Sequence, residues 1–189
     1  NPLNIMVINM SKKALFITSN QGVEQDELIK PLTYLQSKGI EVIHAAETSE
    51  DVQTVKADKD PATRYTPNTT LSQVSYEDYD ILVIPGGTVN ADTLRINEDA
   101  LKIIQYFTDN QKPIAAICHA PWVLINAERI KDKNLTSYHS IKLDLQNAGG
   151  KWVDEEVHRC NTGGWPLITS RNPDDISAFN QAIVKELDT

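Results

Sequence analysis

The residue best suited to covalent chemistry in this sequence is Cys118, which is followed directly by His119. A thiolate is a strong nucleophile and histidine titrates near neutral pH, so the pair could support nucleophilic catalysis. Residues 114–117 are continuously apolar, as expected of a strand covered on both faces, and residues 120–127 predict a helix with Pro121 in its first turn. Cys118 is therefore predicted on a sharp strand-to-helix turn, where the helix N-terminus favours the thiolate. A buried, inert cysteine is an equally good interpretation of these residues alone.

A carboxyl group close to a reactive thiol could hydrogen-bond the sulfur and carry a proton. Glu24 begins a predicted helix over residues 24–38 and is our candidate for this role. Glu27 lies one turn further on, and we interpret it as the decoy. The alternative for Glu24 is an ordinary first-turn carboxylate that is stabilised by the helix dipole.

Backbone N–H groups near the thiol could stabilise an oxyanion. The predicted buried strand over residues 80–84 ends in Pro85-Gly86-Gly87, and glycines allow the backbone to approach a ligand closely. The N–H group of His119 and that of Gly87 are the candidate pair of donors. As a general base, the His119 side chain would need suitable reach and an orienting acid.

Composition excludes several classes of protein. The chain has 189 residues, 40% of them apolar, with a net charge of −8 and a pI near 5.0, which argues against a nucleic-acid or anionic-membrane surface. Its two cysteines do not make a disulfide framework, and no apolar run approaches the roughly 20 residues that span a bilayer. Residues 1–9 are apolar but lack the features of a secretory signal, so we expect a cytoplasmic protein.

The order of predicted elements indicates an α/β fold. Strands and helices alternate, and the strand–helix–strand unit over residues 13–45 implies a parallel sheet. Residues 48–76 have no clean periodicity and are interpreted as a long excursion with one short strand pair at most. We predict a single domain over residues 12–189, with residues 1–11 as an N-terminal extension, of cloning or unusual origin.

No motif indicates a cofactor. The sequence has no G-x-G-x-x-G and no Walker A motif, so a dinucleotide or triphosphate site is not indicated. His158 and Cys160 are two residues apart on a predicted strand and could face a metal together, but no third and fourth ligand is evident. We therefore predict neither a cofactor nor a metal site.

Several short motifs, taken together and in order, resemble the PfpI/ThiJ family of intracellular-protease-like, glyoxalase and stress proteins. They extend from about Lys12 to Leu187 and comprise Val23-Glu24-Gln25-Asp26-Glu27-Leu28-Ile29, Ile84-Pro85-Gly86-Gly87, Leu94-Arg95, Ala116-Ile117-Cys118-His119-Ala120-Pro121, Thr136-Ser137-Tyr138, Asn147-Ala148-Gly149-Gly150 and Ser170-Arg171. The resemblance implies a flavodoxin-like three-layer sandwich with a mostly parallel central sheet. It is far more specific for the fold than for the substrate.

The resemblance also implies roles for individual residues. Cys118 would be the nucleophile, Glu24 its carboxyl partner, and Gly86, Gly87 and the His119 backbone the surroundings of the oxyanion. In the PfpI branch the triad resembles cysteine, the adjacent histidine and an acid from a neighbouring subunit. The matching acid here is Asp92, which implies a homodimer or higher homo-oligomer.

Three functions remain open. The first is a cofactor-free glyoxalase or deglycase acting on a small reactive carbonyl, in which Cys118 adds to an α-oxoaldehyde and Glu24 moves a proton. The second is an intracellular cysteine peptidase or amidase acting on a peptide, which needs His119 to be well aimed. The third is a redox-sensing or chaperone-like stress protein in which Cys118 is oxidised. Glutamine amidotransferase activity is disfavoured, because the downstream His-x-Glu of that related triad is absent.

Overall fold

A seven-stranded sheet forms the centre of the molecule, which is known from a computed structural model that describes residues 11–188. The predicted extension over residues 1–11 therefore lies, apart from Ser11, outside the described residues. In the described residues the strands are β1 (Lys13–Ile17), β2 (Gln21–Glu24), β3 (Glu41–Ala46), β4 (Val52–Lys56), β5 (Asp60–Tyr65), β6 (Thr69–Thr70), β7 (Ile81–Ile84), β8 (Ile114–Ile117), β9 (Asn134–Leu135), β10 (Lys151–Trp152), β11 (His158–Cys160) and β12 (Leu167–Ser170).

The helices cover both faces of this sheet. They are α1 (Gln25–Ser37), α2 (Thr88–Leu94), α3 (Glu98–Asp109), α4 (Pro121–Asn126), α5 (Lys142–Asn147) and α6 (Ile176–Leu187). None of the helices in the described part of the chain has the length and apolar character needed to cross a membrane.

The central sheet has the order β11-β12-β8-β7-β1-β3-β6 and is parallel except for β11, which runs antiparallel to β12. The predicted flavodoxin-like, mostly parallel sandwich is thus confirmed. Because all strands from β12 to β3 point the same way, the segments that follow β1, β7 and β8 meet at one edge of the sheet. That edge carries the candidate site.

Alternation along β1 explains the two core layers. Leu15 and Ile17 belong to the apolar cluster that includes α3 and α4, whereas Ala14 and Phe16 belong to the cluster that includes α1 and α6. Successive side chains of a strand point to opposite faces, so a continuously apolar strand buries residues in both layers. All four of these residues are fully buried.

Two segments add detail that the sequence patterns do not give. β2 forms directly before α1 and pairs in parallel with β4 in a small sheet of order β2-β4-β5. The excursion over residues 48–76 is built around the β4–β5 hairpin, whose turn carries Ala57 and Asp58 in left-handed conformation. This hairpin lies against the candidate site.

Candidate active site

Cys118 lies at the end of β8, on the predicted sharp turn before α4. Its φ is +66°, a left-handed conformation that costs a non-glycine residue about 1–3 kcal/mol and requires support from its surroundings. Two backbone hydrogen bonds give that support: the Cys118 N–H donates to the Ser170 carbonyl at 3.0 Å, and the Cys118 carbonyl accepts from the Tyr138 N–H at 2.8 Å. The side chain is buried.

The carboxyl group beside the sulfur belongs to Glu27, which is fully buried. Its Oε1 accepts the Gly86 N–H at 2.9 Å, and a hydrogen bond with the Cys118 side chain lowers the pKa of the carboxyl. Burial, followed by the nearby charges of Glu24 and Asp58, raises the pKa of Glu27 well above its ordinary value. Oε2 is buried and has no hydrogen-bond partner among the described residues.

Gly86 is the residue around which this contact is built. A Cβ added there would lie 2.7 Å from both the Cys118 Cβ and the Ile117 carbonyl oxygen, and would also collide with Glu27 Oε1. Only a glycine at position 86 leaves room for the Glu27 carboxyl and the Cys118 side chain to lie on either side of this backbone.

The expectation that Glu24 is the carboxyl facing Cys118 is wrong. Glu24 is the N-terminal cap residue of α1, but its side chain turns away from the helix toward the β4–β5 hairpin. There it accepts the Ala57 N–H at 2.7 Å through one oxygen and the Asp58 N–H at 2.9 Å through the other. These bonds hold the two left-handed residues of the turn, so Glu24 positions the hairpin, and Glu27 takes the place beside the sulfur.

A pattern in α1 contained the missing signal. Glu27, Pro31 and Leu35 are buried and follow one another at four-residue intervals, which places them on one face of the helix. A charged residue on the buried face of a helix is rarely found there without a specific partner. Glu27 lies on that face of α1, whereas Glu24 precedes the helix.

The His119 ring lies directly against the sulfur. Its Nδ1 is 3.2 Å from Cys118 Sγ, and its Nε2 is 3.3 Å from the Thr88 hydroxyl. The ring stacks on Tyr138 with centroids 4.8 Å apart and meets Trp122 edge-on, which fixes its plane. Burial lowers the pKa of His119, so the imidazole is neutral near pH 7 and can accept a proton.

Asp58 is a site residue that the sequence did not reveal. Its Oδ2 lies 4.0 Å from His119 Nδ1, and its Oδ1 accepts the Thr88 N–H at 2.7 Å. Asp58 falls within residues 48–76, which show no periodicity. Only the β4–β5 hairpin brings it to the sheet edge, so no local pattern predicts its position.

The backbone N–H groups of Gly87 and His119 lie near the sulfur, and their role at an oxyanion stays a prediction. Both donate toward Cys118 and lower its pKa. Gly87 has a φ of +98°, and a Cβ there would lie 2.8 Å from the Glu24 nitrogen and collide with the Gly22 carbonyl oxygen. Only glycine fits this position, which explains the Gly-Gly motif at the end of β7.

The predicted lowering of the Cys118 pKa at the start of a helix is outweighed by burial. Burial raises the pKa of this thiol well above its ordinary value, and the charges of Glu27, when it is ionised, and of Asp58 raise it further, against the N–H groups of Gly87 and His119. The helix that follows is only six residues long and begins with Pro121, which has no N–H group. The thiol therefore needs a base, and His119 Nδ1 lies within reach.

A cavity of 540 Å³ opens in front of the sulfur, and its lining includes Cys118, Glu27, Asp58 and Tyr138. A groove of 630 Å³ lies between α1 and α6 but contains neither cysteine. We place the candidate site at the smaller cavity, because the nucleophile and the buried carboxyl line it and the His119 imidazole lies 3.2 Å from the sulfur.

Asp92 lies apart from this constellation. It is exposed on α2, and within residues 11–188 it forms no hydrogen bond or ion pair with Cys118 or His119. Its proposed contribution to a neighbouring subunit stays a prediction, and the acid near His119 within the chain is Asp58.

The fold and the site define an α/β sandwich with a cysteine on a strand-to-helix turn, flanked by a buried carboxyl group. A family model described as the DJ-1/PfpI family matches residues 12–186, and the chain belongs to this family.

Known relatives cover nearly the whole chain. "Deglycase PH1704" of Pyrococcus horikoshii is 37% identical over 93% of this chain and 99% of its own length, and "Putative cysteine protease YraA" of Bacillus subtilis is 35% identical over 91% and 96%. The crystal structure of Drosophila melanogaster DJ-1beta superposes with a TM-score of 0.84 at 33% identity, covering 94% of this chain and 91% of that one. The names of the two relatives suggest that the family includes enzymes.

Proposed function

We propose that this protein is a cofactor-free, cysteine-dependent enzyme that acts on α-oxoaldehydes or their adducts, as a glyoxalase or deglycase does. The observation that carries the proposal is the fully buried Glu27 carboxyl beside Cys118, with a pKa raised by burial. A carboxyl of this kind can hold a proton near neutral pH and can also release it, as proton transfer between adjacent carbons requires. The relative named as a deglycase supports the same class.

The first step is addition of the thiol to the aldehyde carbon. The Cys118 proton moves to His119 Nδ1, 3.2 Å away, while sulfur bonds to the carbon and the carbonyl electron pair moves to oxygen. That oxygen takes the proton of Glu27, which gives a hemithioacetal and leaves Glu27 as the carboxylate. The Gly87 N–H, which points at the sulfur, is placed to stabilise the oxygen as its charge develops.

The second step moves hydrogen between the two carbons. The Glu27 carboxylate removes the proton from the carbon bound to sulfur, and the imidazolium of His119 protonates the neighbouring oxygen to give an enediol. Glu27 then delivers its proton to the second carbon and recovers one from the first hydroxyl, which becomes the thioester carbonyl. Water hydrolyses the thioester to a 2-hydroxy acid and the free thiol, so one water is consumed and no external oxidant or reductant is needed.

The test is conversion of methylglyoxal without added cofactor, followed by proton NMR. We expect wild type to produce the 2-hydroxy acid, and Cys118→Ser and Glu27→Gln to lose this activity. A protein that adds methylglyoxal covalently at Cys118 but releases no hydroxy acid would contradict the proposal.

A cysteine peptidase or amidase is the second candidate, and the Sγ–Nδ1 contact of 3.2 Å favours it. Its geometry within one chain is incomplete, because Asp58 faces the same nitrogen of His119 as the sulfur does, and Nε2 faces the Thr88 hydroxyl. An orienting acid belongs on the other nitrogen.

A neighbouring subunit could supply that acid through Asp92. This candidate therefore predicts association into a homo-oligomer and cleavage of casein that is lost in both His119→Ala and Asp92→Asn. Light scattering that shows only a 21.1 kDa monomer would remove it.

A further inference from the structure

Three side chains of different chemistry converge at the mouth of the Cys118 cavity. A thiol sulfur, an imidazole nitrogen and a carboxylate oxygen, from Cys118, His119 and Asp58, all lie within 4.8 Å of one another. This is the one such group among the residues that the structure describes. Sulfur, imidazole and carboxylate are the three ligand types that Zn²⁺ takes in proteins.

The orientation of His119 suits a metal better than a triad. The sulfur and Asp58 Oδ2 lie 3.2 Å and 4.0 Å from Nδ1, whereas Nε2 faces the Ser140 hydroxyl at 3.5 Å and the Thr88 hydroxyl at 3.3 Å, the latter also lying 3.5 Å from Nδ1. An Nε2 proton donated to one of these hydroxyls leaves the Nδ1 lone pair free. Metal-binding histidines are held in this way by a partner on the other nitrogen.

The other two side chains are held in the same manner. Oδ1 of Asp58 accepts the Thr88 N–H at 2.7 Å, which leaves Oδ2 free toward His119. The backbone N–H groups of Gly87 and His119 donate toward the Cys118 sulfur, as such groups do around metal-bound thiolates. Thr88 thus supports two of the three side chains, one through its backbone and one through its hydroxyl.

The distances fit a tetrahedral ion after a small movement. Zn–S, Zn–N and Zn–O bonds of ordinary length place neighbouring ligand atoms roughly 3.3–3.6 Å apart. The sulfur–nitrogen pair at 3.2 Å is close to this, and the nitrogen–oxygen pair at 4.0 Å needs a shift of under about 1 Å. Asp58 can make that shift, because its side chain is 31% exposed on a hairpin turn.

We infer that Cys118, His119 and Asp58 form a Zn²⁺ site with its fourth position open to the cavity. A thiolate and a carboxylate neutralise the charge of the ion, so the assembled site carries no net charge into the partly buried cleft. Binding releases the thiol proton to solvent and changes no oxidation state. The ion also blocks the sulfur reversibly and thereby inhibits turnover, and only this inhibition rests on the proposed function.

The site is tested by titration of the metal-free full-length protein with Co²⁺ and Zn²⁺. We expect a single Co²⁺ per chain with a thiolate-to-cobalt charge-transfer band, and Zn²⁺ competition that removes the band. Cys118→Ser should abolish the band, and Asp58→Asn should weaken Zn²⁺ binding by at least about tenfold, the scale of losing one ligand or its support. Zn²⁺ should also slow alkylation of wild-type Cys118 by iodoacetamide, and a chelator should restore it.

Two matched controls separate this site from adventitious binding. Asp60→Asn changes an exposed carboxylate on the same hairpin, and Cys160→Ser removes the other cysteine, and both should bind as wild type does. A charge-transfer band that survives in Cys118→Ser, unchanged affinity in Asp58→Asn, or no protection from alkylation would each overturn the inference. Because these readouts follow the metal and not turnover, they stand whether or not the enzyme acts on α-oxoaldehydes.

Discussion

Two regions at the start of α1 place the same residue type in opposite environments. At the β4–β5 turn, Glu24 is given an N–H donor for each oxygen, from Ala57 and Asp58. At the β7–β8 edge, Glu27 is given one donor, from Gly86, and is completely shielded from water. The surroundings of Glu24 therefore suit a carboxylate, and those of Glu27 suit a carboxylic acid.

The difference shows that the chemical role of a glutamate follows from its hydrogen-bond donors and burial. Burial raises the pKa of Glu24 as well, and the N–H groups of Asp58 and Ala57 offset only part of that rise. For Glu27, burial is complete and is joined by the charges of Glu24 and Asp58, against hydrogen bonds from the Cys118 side chain and the Gly86 N–H. Glu24 acts as a structural anion, and its charge helps to keep the proton on Glu27.

The largest effect we expect is on turnover of methylglyoxal. Glu27→Gln keeps the size of the side chain and an acceptor for the Gly86 N–H but cannot carry a proton, so kcat should fall by about 10²–10⁴-fold. His119→Ala should have a smaller effect, because the backbone N–H remains. Glu24→Gln should stay within about tenfold of wild type, since it acts only by positioning the hairpin.

Steady-state kinetics of the three variants at one pH, with folding checked by circular dichroism, measure this order. An inactive Glu24→Gln beside an active Glu27→Gln would reverse the comparison of the two glutamates. An inactive His119→Ala with both glutamate variants active would favour the peptidase-like reading.

The next largest effect is a steric loss of stability, and it concerns only the surroundings of Glu27. Gly86→Ala puts a methyl group against Glu27 Oε1, the Cys118 Cβ and the Ile117 carbonyl, where nothing can give way cheaply. We expect the free energy of unfolding to fall by about 1–3 kcal/mol, as in overpacked cores. Urea denaturation measures it, and a variant as stable as wild type would mean that the carboxyl and the cysteine are further apart than described.

Stability should respond with opposite sign to the two Gln substitutions. The folded-state pKa of Glu27 is raised, so its stabilising contribution is full below the unfolded value near 4.5 and is lost as pH rises through the raised pKa. Glu27→Gln should therefore be more stable than wild type at pH 8, and the difference should shrink as pH falls toward 4.5. Each unit of raised pKa corresponds to about 1.4 kcal/mol.

For Glu24→Gln we expect a loss of about 1 kcal/mol at pH 8, because an amide accepts only one of the two N–H groups of the turn. Thermal melts of both variants at several pH values give the comparison. A Glu27→Gln protein that loses stability as pH rises, relative to wild type, would contradict the buried-acid assignment.

The smallest effect is local to the hairpin. Glu24→Gln should speed hydrogen exchange at the amides of Ala57 and Asp58 by about tenfold, while exchange in β8 stays unchanged. Hydrogen-exchange NMR measures both regions in one experiment. Equal acceleration in β8 would show that Glu24 supports the cysteine directly.

The sequence predicts those elements in which the spacing of apolar residues matches the period of a strand or a helix. The continuous apolar strand over residues 114–117 and the amphipathic helix that follows β2 were both predictable. Helix α2 was not foreseen, since its seven residues from Thr88 to Leu94 are too few to show a helical period. The β4–β5 hairpin was predicted only as one short strand pair without bounds, because most of β5 is exposed and gives no alternation of apolar and polar residues.

The candidate site was predictable only where it is local in sequence. Cys118, His119 and Gly87 follow strands directly, so their meeting at the sheet edge follows from the parallel topology. Choosing between Glu24 and Glu27 required knowing which side of the first helical turn faces the sheet. Asp58 depends on a long-range contact of a hairpin, which no local pattern encodes.

The central claim is that a protonated Glu27 lies beside Cys118, and infrared difference spectroscopy tests it most directly. Alkylating Cys118 with iodoacetamide above pH 8 and recording the spectrum at about pH 6 should shift the C=O stretch of a buried carboxylic acid in wild type, because the group beside the acid changes while the acid keeps its proton. We expect this band to vanish in Glu27→Gln and to persist in Glu24→Gln. A band that persists in Glu27→Gln and vanishes in Glu24→Gln would contradict the account.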